Sequence, residues 1–209
     1  DSGSVYLFER TGDAWAQATK LTETDGTSYR YFGIAVAIDG DVAIAGSPLD
    51  TGQVSRSGTA TVIERVDGVW MIREKLAASD GARRDEFGIA VSVSGRFAVV
   101  GAHRDNDLGA ASGSAYVFER LSDGWVQRAK LTASDGSAGD EFGYRVAIHG
   151  DLIAVGSPGD DDHGGWSGSA YIYQRISDEW IEQVKLVPAD GAMGDRFGEA
   201  VDIDGETAL

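Results

Sequence analysis

The residues of this chain best suited to chemistry are carboxylates set beside flexible glycines. Residues 159–165 read GDDDHGG, in which Asp160, Asp161 and Asp162 offer the oxygen ligands that hard cations such as calcium take. The counterpart loop of the preceding copy, 103–109, reads HRDNDLG. A second set recurs as pairs: Asp80 with Asp85, Asp135 with Asp140, and Asp190 with Asp195. In the first copy Asp25 is matched by Arg30, so a shared cation role would be lost there. Other observations favour a plain solvated loop. Consecutive side chains in extended backbone point to opposite sides, the first copy (SPLDTGQVSR) offers only Asp50, and an Asp-Gly pair is a turn-former in its own right. Both readings stand: Asp160, Asp161 and Asp162 as candidate calcium ligands, with Asp135, Asp140, Asp190 and Asp195 as a further set, or acidic turns without a ligand.

The same loops differ most between copies, which is where a binding surface places its variety. Asp50, Arg56, His103, Arg104, Asp105, Asn106, Asp107, His163 and Trp166 are the candidate recognition residues. Catalysis has little support. The three histidines, His103, His149 and His163, fall in turns without a Ser-His-Asp order or metal-ligand spacing, and with 34 Asp and Glu some carboxylate pairs arise by chance. The expectation is a chain that is not an enzyme.

What must position these loops is a repeat of 55 residues. Trp recurs at 15, 70, 125 and 180, and a Phe-Gly pair at 32, 87, 142 and 197, without an insertion. The copies run 2–56, 57–111, 112–166 and 167–209, the last truncated. A fixed period of this order marks a solenoid, propeller or array. Each unit holds four strand-like segments, in the third copy residues 113–120, 125–131, 142–148 and 151–155, separated by turn chemistry such as Asp123-Gly124 and His149-Gly150. No helical period is present. Four strands per unit predict an all-β fold, a β-propeller of four-stranded antiparallel blades, about four in this chain; a β-solenoid is the competing architecture. The recurring Trp residues read as packing between blades. Recurring Lys20, Lys75, Lys130 and Lys185, with Arg10, Arg65, Arg120 and Arg175, read as outer-strand cations pairing with Glu9, Glu64 or Glu119.

If the third and fourth segments form the inner half of a blade, the chain opens with an outer hairpin and ends with most of an inner pair. It then holds three blades and two halves. A closed small ring, part of a larger ring, and a ring shared between chains all remain open. The chain opens at Asp1 and breaks off inside a repeat, which reads as a piece whose targeting segments lie outside it.

Composition narrows the partners. The formal charge is −16, from 34 Asp and Glu against 18 Lys and Arg, which repels nucleic acid and anionic lipid. There is no cysteine, so thiolate and disulfide chemistry are absent and the compartment stays open. No run approaches the length of a membrane span.

The paired signature resembles the FG-GAP repeat, known from the seven-bladed propeller of integrin α subunits and from bacterial surface and secreted proteins. It stands here as Phe32-Gly33 with Gly46-Ser47-Pro48, Phe87-Gly88 with Gly101-Ala102-His103, and Phe142-Gly143 with Gly156-Ser157-Pro158. The resemblance covers nearly the whole chain and looks closest to the bacterial branch. It implies a secreted or cell-surface propeller that binds a protein or glycan. Two alternatives accompany it: a structural module that self-associates through its half-blades, and an accessory propeller of a secreted enzyme. One feature departs from the family. The integrin-type calcium loop lies between the inner two strands, and here Asp39-Gly40-Asp41, Ser94-Gly95-Arg96, His149-Gly150-Asp151 and Asp204-Gly205-Glu206 are turns too short to wrap a cation.

Overall fold

A computed structural model of the chain describes residues 3–23 and 30–209. Asp25 lies outside these residues. The described residues form sixteen β-strands and no helix. A hairpin of β1 (Val5–Thr11) and β2 (Ala14–Leu21) comes first. Three four-stranded antiparallel sheets follow. They are β3 (Val36–Asp39), β4 (Val42–Ser47), β5 (Thr59–Val66) and β6 (Val69–Leu76); β7 (Ala90–Ser94), β8 (Phe97–Ala102), β9 (Ser114–Leu121) and β10 (Gly124–Leu131); and β11 (Arg145–His149), β12 (Leu152–Ser157), β13 (Ser169–Ile176) and β14 (Glu179–Leu186). A two-stranded piece, β15 (Ile203–Asp204) and β16 (Thr207–Ala208), ends the series. Within each sheet the strands lie in chain order.

Each complete sheet joins the third and fourth segments of one copy to the first and second of the next. Its opening strand lies beside the opening strand of the neighbouring sheet, β3 by β7, β7 by β11 and β11 by β15. These are blades around a common inner edge, and the arc is open: β1 pairs only with β2, and β16 only with β15.

The core lies between the blades. One apolar layer joins Ile44 and Val62 of the first full blade to Val91, Val100 and Phe118 of the second. The next joins Val99 and Val117 to Val146, Val155 and Tyr173. A fully buried Phe anchors each layer, with Phe87 edge-on to Tyr116 (5.4 Å) and Phe142 edge-on to Tyr171 (5.4 Å). The Trp series follows this logic. Trp70 and Trp125 are buried against the preceding hairpin or blade, and Trp180 packs edge-on to Phe97. Trp15 is 69 % exposed, because the described chain has no blade before it.

The Phe-Gly motif has a steric origin. Gly88 sits at φ +95°, where a Cβ would overlap the carbonyl oxygen of Thr59. Its own carbonyl fills the place of a Cβ on Gly46, while its N–H donates to Gly101 O at 2.9 Å. The two glycines of the paired signature are therefore the points where neighbouring copies interlock, and any side chain there would drive the backbones apart. The third segment, expected over 142–148, begins as a strand only at Arg145. Phe142 instead forms a parallel bridge to Gly113, and Gly143 turns the chain at φ +85°.

Candidate functional site

The loop between the second and third strands of each blade is tied down by one carboxylate at its base. Asp50, Asp105 and Asp160 are all buried. They open the loop through side-chain-to-backbone turns: Asp50 Oδ1 accepts from Thr51 N (2.7 Å), Asp105 Oδ1 from Asp107 N (3.0 Å) and Asp160 Oδ1 from Asp162 N (3.2 Å). Buried carboxylates need partners, and the outer strand supplies a lysine. Lys130 Nζ on β10 lies 3.0 Å from Asp105, 2.5 Å from Asp107 and 2.7 Å from Asp80, which arrives from the segment after the preceding blade. Lys185 Nζ on β14 repeats this with Asp160 (2.7 Å), Asp162 (2.7 Å) and Asp135 (2.8 Å). A tyrosine completes each cluster. Tyr116 Oη shares its proton between Asp105 (2.8 Å) and Asp80 (3.0 Å), and Tyr171 Oη between Asp135 (2.8 Å) and Asp160 (3.2 Å).

The first blade carries a simplified version. Lys75 Nζ pairs with Asp50 (2.7 Å) and Glu23 (2.9 Å), Thr61 stands where the others have Tyr and bonds Glu23 (3.0 Å), and Arg30 pairs with Asp50.

Electrostatics follow the geometry. Burial alone would lower the Lys130 ammonium, but the hydrogen bonds it donates to Asp107, Asp80 and Asp105 outweigh it and raise it well above the usual lysine range. Lys185 is raised in the same way by Asp135, Asp160 and Asp162. Burial pushes Asp80 and Asp135 up, yet the lysine and tyrosine bonds hold both below the usual carboxylate range. In each cluster the lysine is thus held charged by its carboxylate neighbours, and it holds Asp80 or Asp135 charged in turn.

This bears on the metal reading. Asp80, Asp105 and Asp107, and likewise Asp135, Asp160 and Asp162, bring oxygens within 4.8 Å of one another, close enough to gather a cation. The space between them is already taken by a lysine ammonium at 2.5–3.0 Å from all three. A divalent ion would have to displace a charge of the same sign, so the residues fit a metal poorly while the lysine is in place. Of the carboxylates named from sequence, Asp160, Asp162 and Asp135 converge, whereas Asp161 is exposed outside the cluster. Asp140 is buried and caps its own turn, accepting from Ser137 N at 2.7 Å, with burial raising its carboxyl to about 6. Asp190 and Asp195 are exposed, and Asp195 makes the same turn with Ala192 N. Sequence reasoning missed Lys130 and Lys185 as the cluster centres and paired them with glutamates. The signal was a Lys placed 25 residues after a loop-opening Asp in each copy.

The candidate recognition residues divide into two groups. Asp50, Asp105 and His103 are buried in the scaffold at the loop bases. His103 stands where the other copies have Pro48 and Pro158. It packs edge-on to Tyr144 (5.4 Å), and burial lowers its imidazole to about 4. Arg56, Arg104, Asn106, Asp107, His163 and Trp166 are exposed at the loop tips. Arg104 reaches toward Glu86 (3.5 Å), and Trp166, at φ +61°, lies under the Arg196 guanidinium (4.8 Å to the ring centroid). The loops ahead of Phe-Gly run alongside: Arg84 N donates to Arg56 O, Glu141 N to Ala111 O and Arg196 N to Trp166 O. Two loops per blade therefore form one rim, rigid at its base and varied at its tips.

The sequence model described as "FG-GAP repeat" matches residues 15–63, 70–118, 125–173 and 180–209. No curated protein sequence matches the chain.

Proposed function

Because the chain belongs to the FG-GAP repeat family, we propose that it is a non-catalytic binding module of the cell surface or the extracellular space, which presents its loop rim to a protein or glycan. The carrying observation is the split within each loop. Asp50, Asp105 and Asp160 are locked at the base, while Arg56, Arg104, Asn106, His163 and Trp166 stand exposed and differ from copy to copy. A pre-ordered base lowers the entropy cost of binding, and an exposed Trp beside an Arg is a common binding anchor. Lysine, rather than calcium, is the proposed counter-charge of the loop clusters. The test probes the immobilised chain against arrays of extracellular glycans and matrix proteins, with a Trp166→Ala, Arg104→Ala variant alongside. The reading requires a hit that the variant loses while its melting temperature holds. A hit retained by the variant would place binding away from the rim.

A second reading, association between copies, is favoured by one uncovered face. Tyr6, Phe8, Val36 and Ile38 are exposed, whereas their counterparts Thr61, Ile63, Val91 and Val93 are buried against the preceding blade or hairpin. Light scattering across concentration decides it, with a mass above 22.0 kDa expected for association and a constant 22.0 kDa against it.

A further inference from the structure

Away from the rim, between the second and third full blades, lies a cleft of about 510 Å³ lined by Arg96, Arg128, Arg175, Glu119, Asp178 and Trp180, with Phe97 beneath. It stands out on a chain of net charge −16 because it gathers three guanidinium groups against two carboxylates. The equivalent cleft one blade earlier, about 460 Å³, reverses that balance, with Arg73 and Arg120 against Glu64, Glu74 and Asp123.

One position makes the difference. At the turn before the second strand of each blade, the first and third blades carry Asp41 and Asp151, and each binds the arginine of its own blade (Arg65 at 2.6 Å, Arg175 at 2.8 Å). The second blade carries Arg96 instead. Its guanidinium and that of Arg175 both lie over the Phe97 ring, at 5.0 and 4.8 Å from the centroid. Arg96 and Arg128 share one carboxylate, Glu119, through their Nε atoms (3.2 and 2.7 Å). Both side chains line the cleft and stay about half exposed, 56 % for Arg96 and 44 % for Arg128. Their planar forks therefore face the cleft within reach of a ligand, and they match a carboxylate or sulfate in a two-point grip. Trp180, held edge-on to Phe97 at 5.6 Å, forms the partly exposed apolar wall.

We propose that this cleft binds an anionic saccharide, its carboxylate or sulfate held by Arg96 and Arg128 and its sugar ring laid against Trp180. The inference deepens the proposed binding role and rests on it, but it locates a site distinct from the loop rim. An acidic peptide fits less well. Its successive side chains turn to opposite faces of an extended backbone, whereas a pyranose offers an apolar face and an edge-borne acid group together.

The test is calorimetric titration of the intact chain with an oligogalacturonate, a heparin-type octasaccharide, a neutral cello-oligosaccharide and an oligoglutamate. The inference expects salt-sensitive binding of the oligogalacturonate, the octasaccharide or both, which separates carboxylate from sulfate recognition. The neutral sugar and the peptide should not bind. Arg96→Asp, which restores the residue found at Asp41 and Asp151, should weaken binding by about tenfold or more with unchanged melting temperature, and Arg128→Gln should act in the same direction. The rim variant Trp166→Ala, Arg104→Ala should bind these sugars as the parent does. Failure of both anionic sugars, equal binding by Arg96→Asp, or equal binding of oligoglutamate would each overturn it. A rim ligand bound by the parent and lost by the rim variant would leave the general binding role standing even then.

Discussion

Lys130 on the outer strand of the second full blade places its ammonium 3.0 Å from Asp105, the buried carboxylate that opens the loop between that blade's second and third strands. The two residues are 25 apart, and the same relation recurs in Lys75 with Asp50 and Lys185 with Asp160. Because Asp80 and Asp135 enter these clusters from the segment after the preceding blade, each lysine also ties one blade to the next.

Replacing Lys130 with Met should therefore cost about 3 kcal/mol, as expected when one partner of a buried ion pair is removed and the other charge is stranded. Asp107→Asn, at a carboxylate more than half exposed, should cost well under about 1 kcal/mol. Chemical denaturation measures both. Equal losses would show that the buried base is not where the cluster acts.

Tyr116→Phe keeps the ring that packs edge-on to Phe87 and removes only the hydroxyl shared by Asp80 and Asp105. A loss of about 1–2 kcal/mol is expected, with the spectroscopic signature of the fold intact. Tyr171→Phe should match it, since its bonds repeat those of Tyr116.

Gly88→Ala tests the interlock of neighbouring copies. The new Cβ would meet the Thr59 carbonyl at a φ that side chains rarely adopt, so a loss of at least about 3 kcal/mol is expected from strain and overlap together. Gly40, also at positive φ but with open space around it, should lose much less on the same change.

Two buried groups give stability opposite pH slopes. His103 has its folded value lowered from 6.5 to about 4. The folded state resists the proton, so stability is full above about 6.5 and falls as pH drops toward 4. Asp140 is raised from 3.8 to about 6, so its contribution is present below 3.8 and is lost as pH rises through 6. Melting curves of His103→Pro, which installs the residue of its counterparts, should lose the first slope. Those of Asp140→Asn should lose the second.

The fold was largely legible in the chain. A 55-residue period, Asp-Gly and His-Gly turns and alternating apolar segments placed the strands, because sheet register depends on local pattern and turn chemistry that each copy repeats. The start of the third segment was misjudged at Phe142, since nothing local announces a bridge to Gly113. The loop site was less legible. The acidic residues were visible, but Asp160 faces inward and Asp161 outward, and the cation that neutralises Asp160 is a lysine 25 residues away, brought there only by strand pairing. The arginine cleft was not legible, because Arg96, Arg128 and Arg175 lie on two different blades.

In each loop cluster of the second and third full blades a lysine occupies the place a cation would take. Thermal unfolding with millimolar calcium and with a chelator tests it most directly, for the parent and for a Lys130→Met, Lys185→Met variant. The parent should melt at the same temperature in both conditions, while the variant should melt lower and recover in calcium, because its freed carboxylates then lack an ammonium. A parent stabilised by calcium and unfolded more readily by the chelator would contradict it.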